Sequence, residues 1–210
     1  MESTKQKTSY CIGLETGRRL KAQFGEMDLK CLENGFVDAI KDIAPKLAQE
    51  EIVSLLTTLQ KQIELQQKTH FTKLSEENKR ASAEFLEANK QNKDIQTLSS
   101  GLQYQILSSG PKKSAHPTPL DVVTIHYKGS FIDGTVFDSS YLREEPLTIP
   151  LARAIPGWSE VLQLMQEGDN WKVFIPPYLA YAEMGFPPTI GPNMVLVFDI
   201  ELIKIGEKPA

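Results

Sequence analysis

Side chains able to do metal or covalent chemistry are few and scattered. His70, His116 and His126 are the only histidines, and Cys11 and Cys31 the only cysteines. His70 and His116 have no metal-ligand partner near them in sequence, and two cysteines cannot make a Cys-only zinc site, so no metal is expected. His126 precedes Tyr127 on a strand pattern and faces the opposite side, where a hydrogen-bonded structural role is expected of it. Asp138 lacks the second carboxylate or histidine that general acid–base work requires, and Ser139-Ser140 beside it suggests a turn cap. The chain also carries 17 aromatics, nine Phe, six Tyr and two Trp. Each taken alone reads as ordinary core.

The second half of the chain reads mainly as strands. Leu102–Leu107 alternates apolar and polar residues, and Val122–Phe131 is a longer run of strand formers. Asp133-Gly134 is a strong hairpin signal between that run and Thr135-Val136-Phe137. Trp171–Ile175 and Val195–Ile205 supply two more strands. Between them, Trp158–Met165 reads as a short amphipathic helix, introduced by Pro156-Gly157 and stopped at Gly168. Antiparallel strands around one short helix make an α+β arrangement.

The first half is different. Of 13 prolines only Pro45 lies before residue 111, and residues 46–100 contain neither Gly nor Pro. That stretch is rich in helix formers, and a helix over most of it would extend roughly 70 Å. Ile52, Val53, Leu55, Leu56, Leu59 and Ile63 form a stripe that must pack on something. Beyond Gln67 the stripe thins and charges of both signs alternate, with Glu76–Arg80 and Lys73–Glu77 at helical contact spacing, as in a solvated spacer. Upstream, Tyr10–Phe24 fits one helix broken near Gly25, and Leu29–Ile43 a second ended by Pro45. About 65 residues in such helices give a thin core, so a partner surface is the natural completion. No sustained heptad supports a parallel coiled coil. The expected divisions are residues 1–65, 66–98 and 99–210.

Charge and hydropathy exclude other classes. With 23 Lys+Arg against 27 Asp+Glu the net charge is −4, which leaves no basic excess for bulk nucleic-acid binding. No apolar run approaches the roughly 18 residues needed to span a bilayer, so no transmembrane segment is expected. Residues 1–8 contain no apolar secretory core. Either a cytosolic chain or one shown after removal of a targeting segment fits. Cys11 and Cys31 are expected as free buried thiols, a bridge within or between chains requiring an oxidising compartment.

Five ordered blocks carry a resemblance. Val123–Gly129, Asp133–Ser140, Ile155–Trp158, Ile175-Pro176 with Ala180-Tyr181, and Leu196–Leu202 together resemble the FKBP-type peptidyl-prolyl cis-trans isomerases. Ser9–Leu14 with Gly17, Leu20 and Phe24, then Gly35–Ala39, is similar to the N-terminal dimerisation domain of Mip-type bacterial members. The resemblance implies an α+β fold: a helical dimerisation domain, a long spacer helix, then a twisted antiparallel sheet wrapped around one short helix. It implies a homodimer in which two chains interlock through the short helices and long helices carry the catalytic domains. Export to the periplasm or outer cell surface after signal removal is implied, with the cytoplasm as the alternative.

Isomerising an X–Pro bond means crossing a barrier of roughly 18–20 kcal/mol set by amide resonance, and uncatalysed exchange is slow. A dry aromatic pocket that holds the proline ring favours the twisted amide without a nucleophile or cofactor. By resemblance, Trp158 is the floor, Tyr127, Phe137 and Phe198 are walls, and Asp138 and Tyr181 are polar positions at the mouth. Ile155 lies beside the floor and offers its backbone N–H. Asp138, Tyr181, Phe137 and Trp158 are then the catalytic set, and Leu147, Ala154 and Ile190 join the walls as substrate contacts. Proline-containing peptides or unfolded proteins are the implied substrates, with macrolide inhibitors in the same pocket. Leu147 where many members carry an aromatic, Ala182 for Gly, Phe186 for His, and Thr189-Ile190-Gly191-Pro192 are departures that bear on substrate preference. The alternative is a chaperone cradle in which isomerisation is secondary.

Overall fold

A computed structural model describes residues 3–111 and 115–206. Two compact units divide near Thr69 and His70. The second is built on a seven-stranded antiparallel sheet. Its strands are β1 (Gln96–Thr97), β2 (Gln103–Ser108), β3 (Val122–Ser130), β4 (Val136–Ser139), β5 (Leu147–Pro150), β6 (Asn170–Ile175) and β7 (Leu196–Gly206). The order is β1-β2-β6-β7-β3-β4, with β5 also paired to β3. The strands expected around residues 102–107, 122–131, 171–175 and 195–205 are present. β1 and β5 are additional, both of them too short to show a period.

Period-2 alternation decides which side of each strand is buried. On β3, Val123, Ile125 and Tyr127 are buried while Val122, Thr124 and His126 are only partly covered. On β7, Leu196, Phe198, Ile200 and Leu202 are buried. Against this face lies the helix Pro156–Leu162, whose Trp158, Val161 and Leu162 are buried together with Met165. Pro156 sits at its first position, where a missing N–H costs nothing. Gly157 lets the helix come close: a Cβ there would lie 2.5 Å from Ile175 Cγ2. The Asp133-Gly134 turn forms as expected, with Gly134 at φ 86° and Thr135 N donating to Asp133 Oδ1 at 2.9 Å.

The first unit holds α1 (Thr4–Phe24), α2 (Leu29–Ile40) and the start of α3 (Gln49–Asn89); the helix Pro156–Leu162 is therefore α4. Ser3 and Gln6 form a capping box on α1, and Gly25, at φ 71°, closes it by donating to Lys21 O. Asp28 caps α2 by accepting from Cys31 N. None of the described residues before His70 is buried, and Tyr10, Ile12, Leu29, Ile40, Leu55, Leu56 and Leu65 are exposed. Cys11 and Cys31 are exposed free thiols, which corrects the expectation that they are buried.

The expected solvated spacer over residues 66–98 is also corrected in its second half. α3 stops at Asn89, and by Gln96 the chain already pairs with β2. Before that stop, one face of α3 docks on the sheet unit: the Phe85 and Phe174 rings lie 5.8 Å apart, and Gln103 Nε2 donates to Leu86 O at 2.8 Å. Ser75, Asn78, Ser82 and Asn89 supply much of that face, and their polarity hides it from any search for apolar periodicity.

Candidate active site

Six structural pieces converge on one cavity of about 230 Å³. β3 contributes Tyr127, the β3–β4 hairpin Phe137 and Asp138, α4 and its approach Ala154, Ile155 and Trp158, and β7 Phe198. β5 adds Leu147 and Ile149, and the segment after β6 adds Tyr181. The ring geometry is edge-on throughout. Trp158 lies 5.0 Å from Tyr127 at 68° and 5.1 Å from Phe198 at 76°, and Phe137 meets Phe198 at 5.7 Å and 88°. Such T-shaped contacts fix ring orientation as well as excluding water. Gly129 makes the arrangement possible, since a Cβ at that position would lie 2.6 Å from Phe137 Cζ and 2.8 Å from Phe198 Cε1.

The polar side of the cavity is one hydrogen-bonded cluster. The Tyr127 hydroxyl donates to Asp138 Oδ2, Arg143 Nη1 pairs with Asp138 Oδ1, and Arg143 Nη2 donates to the Tyr127 hydroxyl at 2.9 Å. The Arg143 guanidinium also lies 5.6 Å from the Tyr127 ring centroid. Burial by itself would raise the Asp138 pKa, but the bonds from Tyr127 and Arg143 outweigh it and hold the carboxyl below its usual value of 3.8. Burial pushes Tyr127 and Tyr181 upward, and the nearby Asp138 charge adds to both shifts. The Tyr181 phenol is thus kept as a donor. The buried indole N–H of Trp158 has no hydrogen-bond partner among the described residues.

These shifts set the pH response. A depressed carboxyl stays ionised everywhere above its ordinary value and is lost only as pH falls through the lower folded value, while both phenols stay protonated. No histidine lines the cavity. Turnover is therefore expected to be flat between about pH 5 and 9, and to change only below the ordinary carboxylate range. A pH–rate profile checks this, and a bell centred near neutrality would contradict it.

Of the expected site residues, Asp138, Tyr181, Phe137, Trp158, Tyr127, Leu147, Ala154, Ile155 and Phe198 all line the cavity. Ile190 does not. It is buried in the core and exchanges backbone hydrogen bonds of 2.8 and 2.9 Å with Phe186. His126 faces away as expected, with Nδ1 2.9 Å from Ser140 Oγ and its ring stacked on Tyr141. Reading the sequence missed Arg143, Arg153 and Ile149. Ile149 follows Leu147 at strand spacing and was open to detection; Arg143 sits in a turn and Arg153 ends the short 3-10 helix Leu151–Arg153, and in neither does a periodicity mark a direction. Among the described residues no group of His, Cys, Asp or Glu could hold a metal, and no helix is long and apolar enough to cross a membrane.

Comparison with known proteins gives a consistent result. Residues 113–203 match the FKBP-type peptidyl-prolyl cis-trans isomerase family, and residues 5–106 match a domain described as amino terminal to FKBP-type peptidyl-prolyl isomerase. The chain is 39% identical over 205 residues to the outer membrane protein MIP of Legionella longbeachae, covering 98% of this chain and 87% of that protein. It is 38% identical over 208 residues to the peptidyl-prolyl cis-trans isomerase Mip of Coxiella burnetii, covering 99% and 90%. The crystal structure of FkpA from Escherichia coli superimposes with a TM-score of 0.76 at 34% identity, covering the whole of both chains.

Proposed function

The chain belongs to the FKBP-type peptidyl-prolyl cis-trans isomerases, and we propose that it catalyses X–Pro rotation in the cavity bounded by Trp158, Tyr127, Phe137 and Phe198. The observation that carries this assignment is the pairing of an edge-on aromatic cage with the hydrogen-bonded Tyr127–Asp138 pair at its side. Rotation about an amide destroys resonance, so the twisted form is less charge-separated than the planar one. A water-poor aromatic cavity therefore favours the twisted form. The ionised Asp138 disfavours the electron-rich carbonyl oxygen of the planar amide. The Tyr181 phenol and the Ile155 backbone N–H act as donors that orient the carbonyl groups of the bound peptide. No group needs to accept or release a proton, and no cofactor enters. The same cage fits a macrolide that presents a ring in place of proline.

The partner reading rests on the first unit. Among the described residues none of its apolar side chains is buried, and a second copy would cover them, making a homodimer with paired isomerase domains acting on proline-containing or unfolded chains. Envelope residence, in the periplasm or at the outer surface, is proposed on the strength of the similarity to an outer membrane protein.

An isomerase and a holdase are separated by two assays on the intact chain. Turnover of a short X–Pro peptide, inhibited by a macrolide, is the expected result. Suppression of client aggregation with no peptide turnover would favour the chaperone reading instead.

A further inference from the structure

α3 is exposed along most of its length, and Ser82 is its only buried residue, at 4% accessibility. Its hydroxyl makes two bonds to one loop: Oγ donates to Asn193 O at 2.8 Å and accepts from Val195 N at 3.0 Å. One turn earlier on the same face, Asn78 Nδ2 donates to Pro192 O at 2.8 Å. Ser75 Oγ accepts from Asn193 Nδ2, also at 2.8 Å. Positions 75, 78 and 82 are three and four residues apart, so a single helix face holds residues 192–195. All of these groups belong to the second unit.

The contacts continue toward the cavity. Asn193, in a left-handed conformation at φ 54°, donates its backbone N–H to Ala182 O at 2.8 Å. Ala182 has φ 49°, and its own N–H donates to Pro177 O at 2.8 Å. The residue before it is Tyr181, whose carbonyl accepts from Gly185 N at 3.1 Å and whose ring lines the cavity. Two consecutive hydrogen bonds therefore lead from the Ser82 hydroxyl to the residue beside the pocket tyrosine. Non-glycine residues at positive φ persist only where surrounding contacts over-determine them, and here α3 supplies contacts to one of the two.

We propose that Ser82 is a positioning residue for the isomerase site: by clasping Asn193 and Val195 it fixes the loop that presents Tyr181 to the bound proline peptide. The inference rests on the isomerase reading. It makes α3 part of the active unit for even the shortest substrates, in contrast to a spacer that only sets the distance between domains. A loop freed from α3 keeps the aromatic floor and walls but lets Tyr181 drift, and small misplacements of a positioning group cost large factors in rate.

The test uses the intact chain and its Ser82→Ala, Asn78→Ala and Arg80→Ala variants; Arg80 lies on the exposed side of α3. Turnover of an X–Pro tetrapeptide per folded molecule and amide hydrogen exchange are measured together. For Ser82→Ala, kcat/KM is expected to fall roughly fivefold, with faster exchange at Asn193 and Gly185 and unchanged exchange at Val173 and Ile200 in the β6–β7 ladder. Asn78→Ala should show a smaller change in the same direction, and Arg80→Ala none. Unchanged kcat/KM in Ser82→Ala, with faster exchange confined to Val195, would overturn the proposal and leave Ser82 a purely structural serine. Should Ser82→Ala not fold, Asn78→Ala decides: normal turnover with normal exchange at Asn193 overturns the clasp. An unaltered chain with no turnover would instead overturn the isomerase reading, and exchange at Asn193 and Gly185 would then settle the clasp alone.

Discussion

Replacing Asp138 with Leu should lower kcat/KM on an X–Pro tetrapeptide by at least about tenfold, or roughly 1.4 kcal/mol of transition-state stabilisation, while leaving the fold intact. Among the described residues the carboxylate is the only one lining the cavity, and it is joined to Tyr127 and Arg143. Its substitution removes the fixed negative charge beside the rotating amide and releases both partners. The fold survives because the carboxylate lies at the rim, outside the buried core cluster formed by Val123, Ile125, Trp158 and Phe198. Asp138→Asn should fall between the two, since an amide oxygen still accepts from the Tyr127 hydroxyl but carries no charge. Peptide kinetics paired with near-ultraviolet circular dichroism check both variants. Unchanged turnover in Asp138→Leu would return Asp138 to a turn-capping role.

The second large effect concerns assembly. At micromolar concentration the intact chain should scatter light as a dimer, and a fragment from His70 onward as a monomer. The first unit has no buried described residue, while Leu29, Ile40, Leu55, Leu56 and Leu65 are exposed. Two grooves bear on this: a mainly apolar one that includes Leu20, Leu29, Leu32 and Phe36, and a mixed one in which Phe24, Leu56, Leu59 and Ile63 stand beside Gln23, Gln60, Glu64 and Gln67. The interface would double as the core, and such a dimer would be obligate. The dimer and the fragment should turn over tetrapeptide equally per site, because the fragment keeps the Ser82 clasp. The dimer should be the better catalyst of proline-limited refolding of a large client, through effective concentration. A monomeric intact chain would contradict the assembly, and equal refolding efficiency would remove its role in client handling.

The strands and the Asp133-Gly134 hairpin were legible because alternation and turn chemistry are local signals. Most of the cavity lining was legible through the ordered blocks, although each aromatic in isolation looked like core, and Trp158 and Phe198 are in fact both core and lining. Arg143 was not legible: it reaches Asp138 across a turn, and nothing in its own surroundings marks that contact. Ile190 stood next to the cavity in the motif yet lies buried with its backbone turned to Phe186. The docked face of α3 was hidden for a different reason. Ser75, Asn78 and Ser82 bind through hydrogen bonds, and a serine among charged residues looks the same in sequence whether it meets water or a loop carbonyl.

Whether the aromatic cavity itself rotates X–Pro bonds is read out by magnetisation-exchange NMR on a proline tetrapeptide in the presence of a small amount of the intact chain. Uncatalysed cis–trans exchange takes tens of seconds or longer, too slow to transfer magnetisation between the two isomers. Cross-peaks between the cis and trans signals are expected when the unaltered chain is added, and their loss when a macrolide occupies the cavity. Absence of cross-peaks with a folded, unaltered chain would contradict rotation by the cavity.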